Sequence, residues 1–241
     1  MKTPSTLSRA ALLSSIFQAS NALVGLSWSV SDVPSTGLTD ITFPISMPNA
    51  KHDSGYYYAQ QFSFNGQSDV GYTGLQPRPD SNGKSIVHGV FSSFVSGTTT
   101  SDSNCTPGAD GGPGVSCAVD VAATYDHGYL LRIQNTQGTT WTGTLVDAVT
   151  GTETHIGSYT LPSGSGGITN SQVGFVEYYP WNSGSHACGE LPQTSVTFGA
   201  PTTSSGNAGS LGKPYEYGDC VGQVGFSTTQ SGTGYEINVG F

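Results

Sequence analysis

The sequence predicts an all-β protein, an antiparallel two-sheet β-sandwich of the jelly-roll or concanavalin-like type. The chain has 241 residues, of which 34 are Gly and only 10% are charged, against roughly 7% Gly and about 25% charged residues in an average domain. This composition excludes a long-helix or coiled-coil protein. The 12 Tyr, 10 Phe and 3 Trp residues are enough for a core, and the length suits one sandwich of roughly 200–250 residues.

The distribution of apolar residues predicts strands rather than helices. Short alternating runs recur along the chain, separated by Gly, Pro, Asn and Ser, and no segment keeps a 3.6-residue apolar period. We expect essentially no helix beyond residue 23. The candidate strands are Val24–Val30, Asp40–Ile45, Tyr56–Phe64, Ser85–Phe94, Tyr129–Gln134, Trp141–Asp147, Val173–Tyr179, Val196–Phe198, Val221–Ser227 and Tyr235–Phe241.

The N-terminal segment 1–22 is typical of a secretory signal peptide. Lys2 and Arg9 flank the short apolar run Ala10–Phe17, and Ser20-Asn21-Ala22 offers small residues for cleavage. The apolar run is shorter than the roughly 20 residues that span a bilayer. We therefore expect a secreted, extracellular protein whose residues 23–241 form a single domain.

The charge balance is acidic. The formal net charge is −9, from 16 acidic and 7 basic residues, and two of the basic residues lie in the predicted signal peptide. Phosphate backbones and anionic membranes attract proteins with many Lys and Arg side chains. We expect neither nucleic acid nor a membrane as a partner, and the charge leaves the oligomeric state open.

The four cysteines predict two disulfide bonds. Cys105, Cys117, Cys188 and Cys220 are an even number in a chain with an export signal, and four cysteines allow three pairings. Nearest-neighbour pairing is our choice. A zinc site is disfavoured because no Cys-x-x-Cys or nearby His pair occurs, and we expect no metal and no other cofactor.

Aspartates around the first cysteine loop give a calcium alternative. Asp102, Asp110 and Asp120 flank or lie within a Gly-rich segment, and oxygen-rich loops of this kind can hold calcium. Their spacing is not that of an EF-hand. Solvated loop aspartates are the favoured interpretation.

The strand Tyr56–Phe64 predicts two different faces. Alternate residues of a strand point to opposite sides, so Tyr56, Tyr58, Gln60, Phe62 and Phe64 share a core face. Tyr57, Ala59, Gln61 and Ser63 share the other face. Aromatic rings beside amide side chains suit a sugar ligand, although an ordinary half-buried strand has the same pattern.

Glu177 is the candidate catalytic residue. In the strand around it, the carboxylate points the same way as Val173, Phe175 and Tyr179. An apolar environment raises the pKa of a carboxyl group, as a general acid requires. A Glu at a sheet edge is the structural alternative. A second carboxylate would come from Asp147, Glu153, Glu216 or Asp126, and nothing in the sequence selects one of them.

Lyase chemistry is a further enzymatic alternative. It would use a Tyr or His base together with groups that neutralise a uronate carboxylate. The chain offers these residue types, but its acidic surface would repel an anionic polymer. The residues in question are His88, His127, Tyr129, Arg132 and Gln76.

Several motifs resemble the domain of unknown function 3472 family. They span roughly residues 40–200, and the most specific is the Gly-aromatic-x-Gly-x-Gln segment Gly71–Gln76, interpreted as a tight turn that presents the amide of Gln76. The resemblance implies a secreted β-sandwich associated with carbohydrate-active proteins, and it assigns no catalytic residue. The matching segments are Gly55–Phe64, Gly71–Gln76, Ser85–Phe94, Gly128–Arg132, Trp141, Gly174–Tyr178 and Cys188–Pro192.

Three functions follow as hypotheses. The first is lectin-like binding of a cell-wall or extracellular polysaccharide or glycan. The second is a small glycoside hydrolase or polysaccharide lyase that uses Glu177, and the third is a secreted structural or host-interaction protein. We expect the ligand contacts on one sheet face, formed with Glu177 by Tyr57, Gln61, Tyr72, Gln76 and Arg132.

Overall fold

Two antiparallel β-sheets packed against each other form the described part of the chain, which confirms the predicted β-sandwich. The computed structural model describes residues 22–183 and 186–241, so the predicted signal peptide lies outside it except for Ala22. The strands are β1 (Ala22–Val30), β2 (Asp40–Ser46), β3 (Tyr56–Ser63), β4 (Val70–Ser81), β5 (Lys84–Ser93), β6 (Cys105–Ala109), β7 (Gly112–Ala122), β8 (Gly128–Gln137), β9 (Thr140–Asp147), β10 (Glu153–Thr160), β11 (Ser171–Tyr178), β12 (Thr194–Phe198), β13 (Gly209–Leu211), β14 (Tyr215–Glu216), β15 (Ser227–Ser231) and β16 (Gly234–Val239).

The larger sheet has nine strands in the order β13-β1-β11-β3-β4-β5-β7-β6, with β14 also paired to β1. The smaller sheet has seven strands in the order β10-β9-β8-β2-β12-β16-β15. Two short 3₁₀ turns, Tyr179–Asn182 and Cys188–Glu190, are the helical elements of the described residues. No helix in this part of the chain is long and apolar enough to cross a membrane.

Aromatic pairs join the two sheets through the core. Trp28 of the larger sheet meets Phe43 of the smaller one with ring centroids 5.2 Å apart. Phe91 of the larger sheet stacks on Tyr159 of the smaller one, with ring centroids 4.4 Å apart. Aromatic side chains bury roughly 150–250 Å² each, so such pairs supply much of the apolar burial that holds the sheets together.

The segment Gly71–Gln76 is extended, and the expectation of a tight turn there is wrong. It lies within β4, which pairs with both β3 and β5. Its glycines are needed for close packing: a Cβ at Gly71 would stand 2.4 Å from the ring of Phe62, and one at Gly74 would stand 2.8 Å from the ring of Tyr57. Both rings therefore lie directly on the backbone of β4.

Strand assignment from the sequence also fails elsewhere, and β10 is another strand that is absent from the candidates. The Gly/Pro-rich segment around Cys105 and Cys117 forms the β6–β7 hairpin, in which these two residues are register partners. The predicted strand Val221–Ser227 is mostly turn, because Gly222 and Gly225 adopt positive φ angles of 74° and 63°. The strand β15 begins only where that segment ends.

Both disulfide bonds have the nearest-neighbour pairing that the sequence analysis preferred. Cys105 bonds to Cys117 and Cys188 bonds to Cys220. The first bond ties the base of the β6–β7 hairpin, and the second joins a 3₁₀ turn to the long segment before β15.

Every one of the five histidines lies beside an aspartate. The N···O distances run from 2.5 to 3.2 Å, and the pairs are spread over both sheets and the loops. Two of the three candidate calcium ligands, Asp102 and Asp120, are among these aspartates. The pairs are His52–Asp80, His88–Asp120, His127–Asp147, His155–Asp102 and His186–Asp219.

Candidate functional site

A row of polar side chains crosses the outer face of the larger sheet, the face turned away from the smaller sheet. Glu177 of β11 is the register partner of Tyr57 of β3. The pairing of Tyr58 with Leu75 brings Tyr57 beside Gln76 of β4. Gln76 is in turn the register partner of His88 of β5. Directly paired residues of antiparallel strands share a face. The row therefore comprises Glu177, Tyr57, Gln76 and His88.

An aromatic cluster lies next to this row on the same face. Phe175 meets Tyr57 edge-on with centroids 5.8 Å apart, and it meets Tyr72 edge-on at 5.2 Å. Between the two tyrosines the floor is made of Ala59 and Gly74, which are register partners. These small residues let the rings lie close on the sheet, and Ala59 is fully buried beneath them.

Glu177 is nearly buried and has no cationic partner among the described residues. Its residue exposure is 7%. Asn182 of the neighbouring 3₁₀ turn donates a hydrogen bond of 2.7 Å to Oε1. Burial raises the pKa of Glu177, the bond from Asn182 opposes this, and the negative charge of Asp110 raises it further. The carboxyl group therefore holds its proton to a higher pH than an exposed Glu does.

Two covering segments bring further groups over the face. Asp110 lies at the tip of the β6–β7 hairpin with φ of 46°, and burial raises its pKa. Tyr217 follows β14 and packs against the aromatic cluster. Burial and the charge of Glu177 both raise the pKa of Tyr217. The tip of the hairpin and the β14 segment thus lie near the acidic end of the face.

Tyr57 is as buried as Glu177. Only 7% of the residue is exposed, and its hydroxyl has no hydrogen-bond partner among the described residues. Burial raises its pKa, and the charges of Glu177, Tyr72 and Asp110 act in the same direction. An unpartnered buried hydroxyl costs about 1–3 kcal/mol, and this oxygen is too deeply buried for a ligand to reach.

Arg78 fixes the orientation of Gln76. Its Nη2 donates to Oε1 of Gln76 at 2.6 Å, and its Nη1 donates to the hydroxyl of Tyr179 at 3.2 Å. Because the amide oxygen is occupied, the N–H₂ group of Gln76 is the part left for a ligand. The face therefore combines a protonatable carboxyl group with an oriented amide donor.

Five of the six predicted site residues share this face, namely Tyr57, Gln61, Tyr72, Gln76 and Glu177. The placement of Arg132 on the same face is wrong. Arg132 lies on β8 of the smaller sheet and forms a two-fold hydrogen-bonded pair with Glu153 at 2.8 and 2.5 Å. Alternation along a strand shows which residues share a side of that strand, but it does not show to which sheet the strand belongs.

None of the carboxylates suggested as partners accompanies Glu177 in its row. Asp147 bonds to His127, Glu153 bonds to Arg132, and Glu216 accepts the N–H of Gly222 at 3.0 Å. Asp126 follows β7 at the far end of the larger sheet, in the loop before β8.

Sequence reasoning missed the roles of four residues. It treats Asp110 only as a possible calcium ligand, and it assigns no role to Arg78, Asn182 and Tyr217. An Asp-Gly pair inside a bridged loop indicates a hairpin tip, but it does not indicate over which face the tip bends.

The groups suggested for lyase chemistry are divided between the sheets. Gln76 and His88 lie on the outer face of the larger sheet, whereas His127 and Tyr129 lie at the beginning of the smaller sheet's β8. A cluster of His186, Cys188 and Cys220 has ligand atoms within 4.8 Å of one another. Both cysteines are in a disulfide bond, so they offer no thiolate to a metal.

No family model and no curated protein matches this chain. Solved structures match at low identity. Scytalido-glutamic peptidase with a peptide-based transition state analogue matches with a TM-score of 0.49 and 12% identity, covering 92% of this chain and 99% of the other. SCP-B, a member of the Eqolisin family of peptidases, in a complex with the tripeptide Ala-Ile-His, gives 0.45 and 11%, again over 92% and 99%. The CBM2 module of Lactobacillus casei BL23 phage J-1 evolved Dit gives 0.30 and 14%, over 66% and 71%. These likenesses carry no conclusion about what this chain does.

Proposed function

We propose that the protein is a secreted hydrolase that cleaves an acyl bond of an extracellular polymer, with peptide bonds as the first substrates to test. One observation carries the proposal: a buried carboxyl group with a raised pKa, Glu177, shares a row with an amide whose oxygen is already bonded. A carboxyl group can exchange a proton with water, and an oriented amide N–H can stabilise a developing oxyanion.

The chemistry needs only the groups of this row. Ionised Glu177 takes a proton from a water molecule while the water oxygen attacks the carbonyl carbon. The N–H₂ group of Gln76 donates to the carbonyl oxygen as that oxygen becomes negative. The proton on Glu177 then passes to the leaving amine, the C–N bond breaks, and a carboxylic acid and an amine are the products.

Glycoside hydrolysis fits the row less well. It uses two carboxyl groups on opposite sides of the scissile bond. Asp120 of β7 shares the face with Glu177, but β3, β4 and β5 lie between the two, and Asp120 is bonded to its register partner His88. The other carboxylate that acts on Glu177, that of Asp110, comes from the β6–β7 hairpin.

Lectin-like binding of a glycan is the second candidate. The rings of Tyr57, Tyr72 and Phe175 cluster over Ala59 and Gly74, and the part of the Tyr72 ring that stays exposed suits the apolar face of a sugar. Amide groups at its edges would serve sugar hydroxyls. A binding protein of this kind would use Glu177 only as a hydrogen-bond acceptor.

One experiment separates these functions. The purified protein is incubated at acidic and neutral pH with unfolded protein, a fluorogenic peptide library and neutral polysaccharides, and it is also applied to a glycan array. Acyl hydrolysis predicts peptide cleavage that Glu177→Gln abolishes, with Glu153→Gln as the matched control on the smaller sheet. Release of reducing sugar instead would favour the glycosidase, and glycan binding without turnover would favour the lectin.

Export is part of the proposal. It is supported by the predicted leader and by the two disulfide bonds, which persist in oxidising compartments. Mass spectrometry of the protein from culture medium would give an N-terminus near residue 23 and no free thiol. Four cysteines that can be alkylated in the native protein would contradict it.

A further inference from the structure

A second site is indicated by a cavity at one end of the sandwich, between the two sheets. The cavity has a volume of about 270 Å³, near the lower limit of roughly 300 Å³ for small-molecule sites. It is lined by the end of β7, the loop before β8 and the ends of β8, β9 and β10. These elements are separate from the row that contains Glu177. Its polar lining consists of Thr124, His127, Asp147, Thr150, Thr152 and Thr154.

His127 is held in one orientation at the wall of this cavity. Its Nδ1 lies 2.7 Å from Oδ2 of Asp147, and the two side chains are 27% and 15% exposed. The other carboxylate oxygen, Oδ1, accepts the backbone N–H groups of Val149 and Thr150 at 2.9 and 3.0 Å. Although burial acts to raise it, these bonds lower the pKa of Asp147 to about 2.

The bond to Asp147 uses Nδ1 of His127, and this has a consequence for Nε2, the other nitrogen of the ring. Because Asp147 stays ionised, it keeps the imidazole proton on Nδ1 of His127. The other ring nitrogen, Nε2, has no hydrogen-bond partner in the part of the chain that the structure describes. The carboxylate itself has both oxygens occupied, so it offers no free position to a cation.

The remaining wall offers neutral polar groups beside apolar ones. The hydroxyl of Thr154 makes no hydrogen bond to another described residue, whereas Thr150 and Thr152 bond to each other at 2.9 Å. Val121 and Leu145 supply apolar surface. An imidazole nitrogen without a partner, an unbonded hydroxyl and an apolar wall match a ring that carries hydroxyl groups on a hydrocarbon frame.

We propose that this cavity binds one neutral, polyhydroxylated ring, such as a free monosaccharide or the terminal sugar of a glycan. Anions are disfavoured because the formal net charge of the protein is −9, and cations find no unpaired carboxylate in the cavity. The volume admits a single ring rather than a polymer segment. This inference does not depend on the proposed hydrolase activity.

The test is titration of the protein with free glucose, galactose, mannose, xylose and N-acetylglucosamine, followed by NMR of the histidine imidazoles and by calorimetry. At least one sugar should shift the His127 resonances. Thr154→Val, which removes the hydroxyl and keeps the volume, should weaken that binding at least about tenfold. His155→Ala is the matched control, because His155 also lies on β10 but bonds to Asp102 outside the cavity.

Two results would overturn the proposal. One is that none of the five sugars, and no oligosaccharide ending in them, moves the His127 signals at high millimolar concentration. The other is binding that survives Thr154→Val and His127→Ala but is lost in Tyr72→Ala, which would place the sugar on the outer face. A sugar that binds only as the end of an oligosaccharide would identify the ligand as a glycan terminus. Peptide hydrolysis is measured on the same variants, so a failure of that activity is seen separately.

Discussion

Arg78 reaches across two positions of β4 and holds the side-chain oxygen of Gln76 with a hydrogen bond of 2.6 Å. The two residues project from the same face of one strand, since residues i and i+2 of a strand do so. The guanidinium group thereby decides which end of the amide is available. If Gln76 stabilises an oxyanion, Arg78 is its positioning residue.

Loss of Arg78 should therefore impair turnover more than binding. In Arg78→Met the amide can rotate, and we expect kcat to fall at least about tenfold with a smaller change in KM. Steady-state kinetics on a cleaved peptide measures this split. Tyr179→Phe is the control, because it removes the other partner of Arg78 and leaves the bond to Gln76; an equal loss there would contradict the positioning role.

Removal of the Gln76 side chain should have a larger effect on the reaction. An oxyanion donor contributes about 10²–10³ in kcat in enzymes where one has been deleted. We expect Gln76→Ala to lower kcat by that order with the fold intact, as judged by thermal unfolding. Turnover within about twofold of the parent protein would remove Gln76 from the mechanism.

The raised pKa of Glu177 predicts the pH dependence of stability. The folded state binds this proton more tightly than the unfolded chain, so the stability it supports is complete below the ordinary pKa of 4.5. That stability is lost as the pH rises through the folded-state pKa. Glu177→Gln has no proton to lose in this range. The Tm of the variant minus the Tm of the parent should therefore increase from pH 4 towards pH 7. A difference independent of pH would show that the carboxyl pKa is not raised.

Close packing of Tyr57 on Gly74 predicts a local steric cost. A methyl group at position 74 would stand 2.8 Å from the ring and 2.1 Å from the backbone oxygen of Tyr58. We expect Gly74→Ala to lower the free energy of unfolding by about 1–3 kcal/mol. Gly128→Ala is the control, since the atom nearest to a new Cβ there is 4.0 Å away. Equal unfolding midpoints in denaturant would contradict the packing.

The ion pair of Arg132 and Glu153 should contribute little to the stability of the protein and nothing to hydrolysis or glycan binding. Both residues lie on the smaller sheet, away from the Glu177 row, and the pair is partly exposed to solvent. Exposed pairs of this kind contribute little to stability because water and salt screen them. Arg132→Gln should therefore change the Tm only slightly and leave any hydrolysis or glycan binding as it was. Loss of ligand binding in this variant would return Arg132 to the site.

Features that depend on a local pattern of residues could be predicted from the sequence. The two faces of β3 follow from alternation alone, and the burial of Glu177 follows from its apolar neighbours on β11. The sequence could not show that the Gly71–Gln76 segment is a central strand, because its glycines are required by rings from a neighbouring strand. Nor could it place Arg132 or Asp110, since sheet membership and the bend of a hairpin depend on contacts between residues far apart in the chain.

The pairing of every histidine with an aspartate has a consequence for the protein in acid. Protonation of all five imidazoles would change the formal net charge from −9 to −4, that is −9 + 5. Each new positive charge would form within 3.2 Å of a carboxylate oxygen, so its field would be cancelled at short range. Acidification would therefore bring the surface closer to neutrality without creating a cationic patch, and pectin-like or other acidic polymers would gain no new point of attachment.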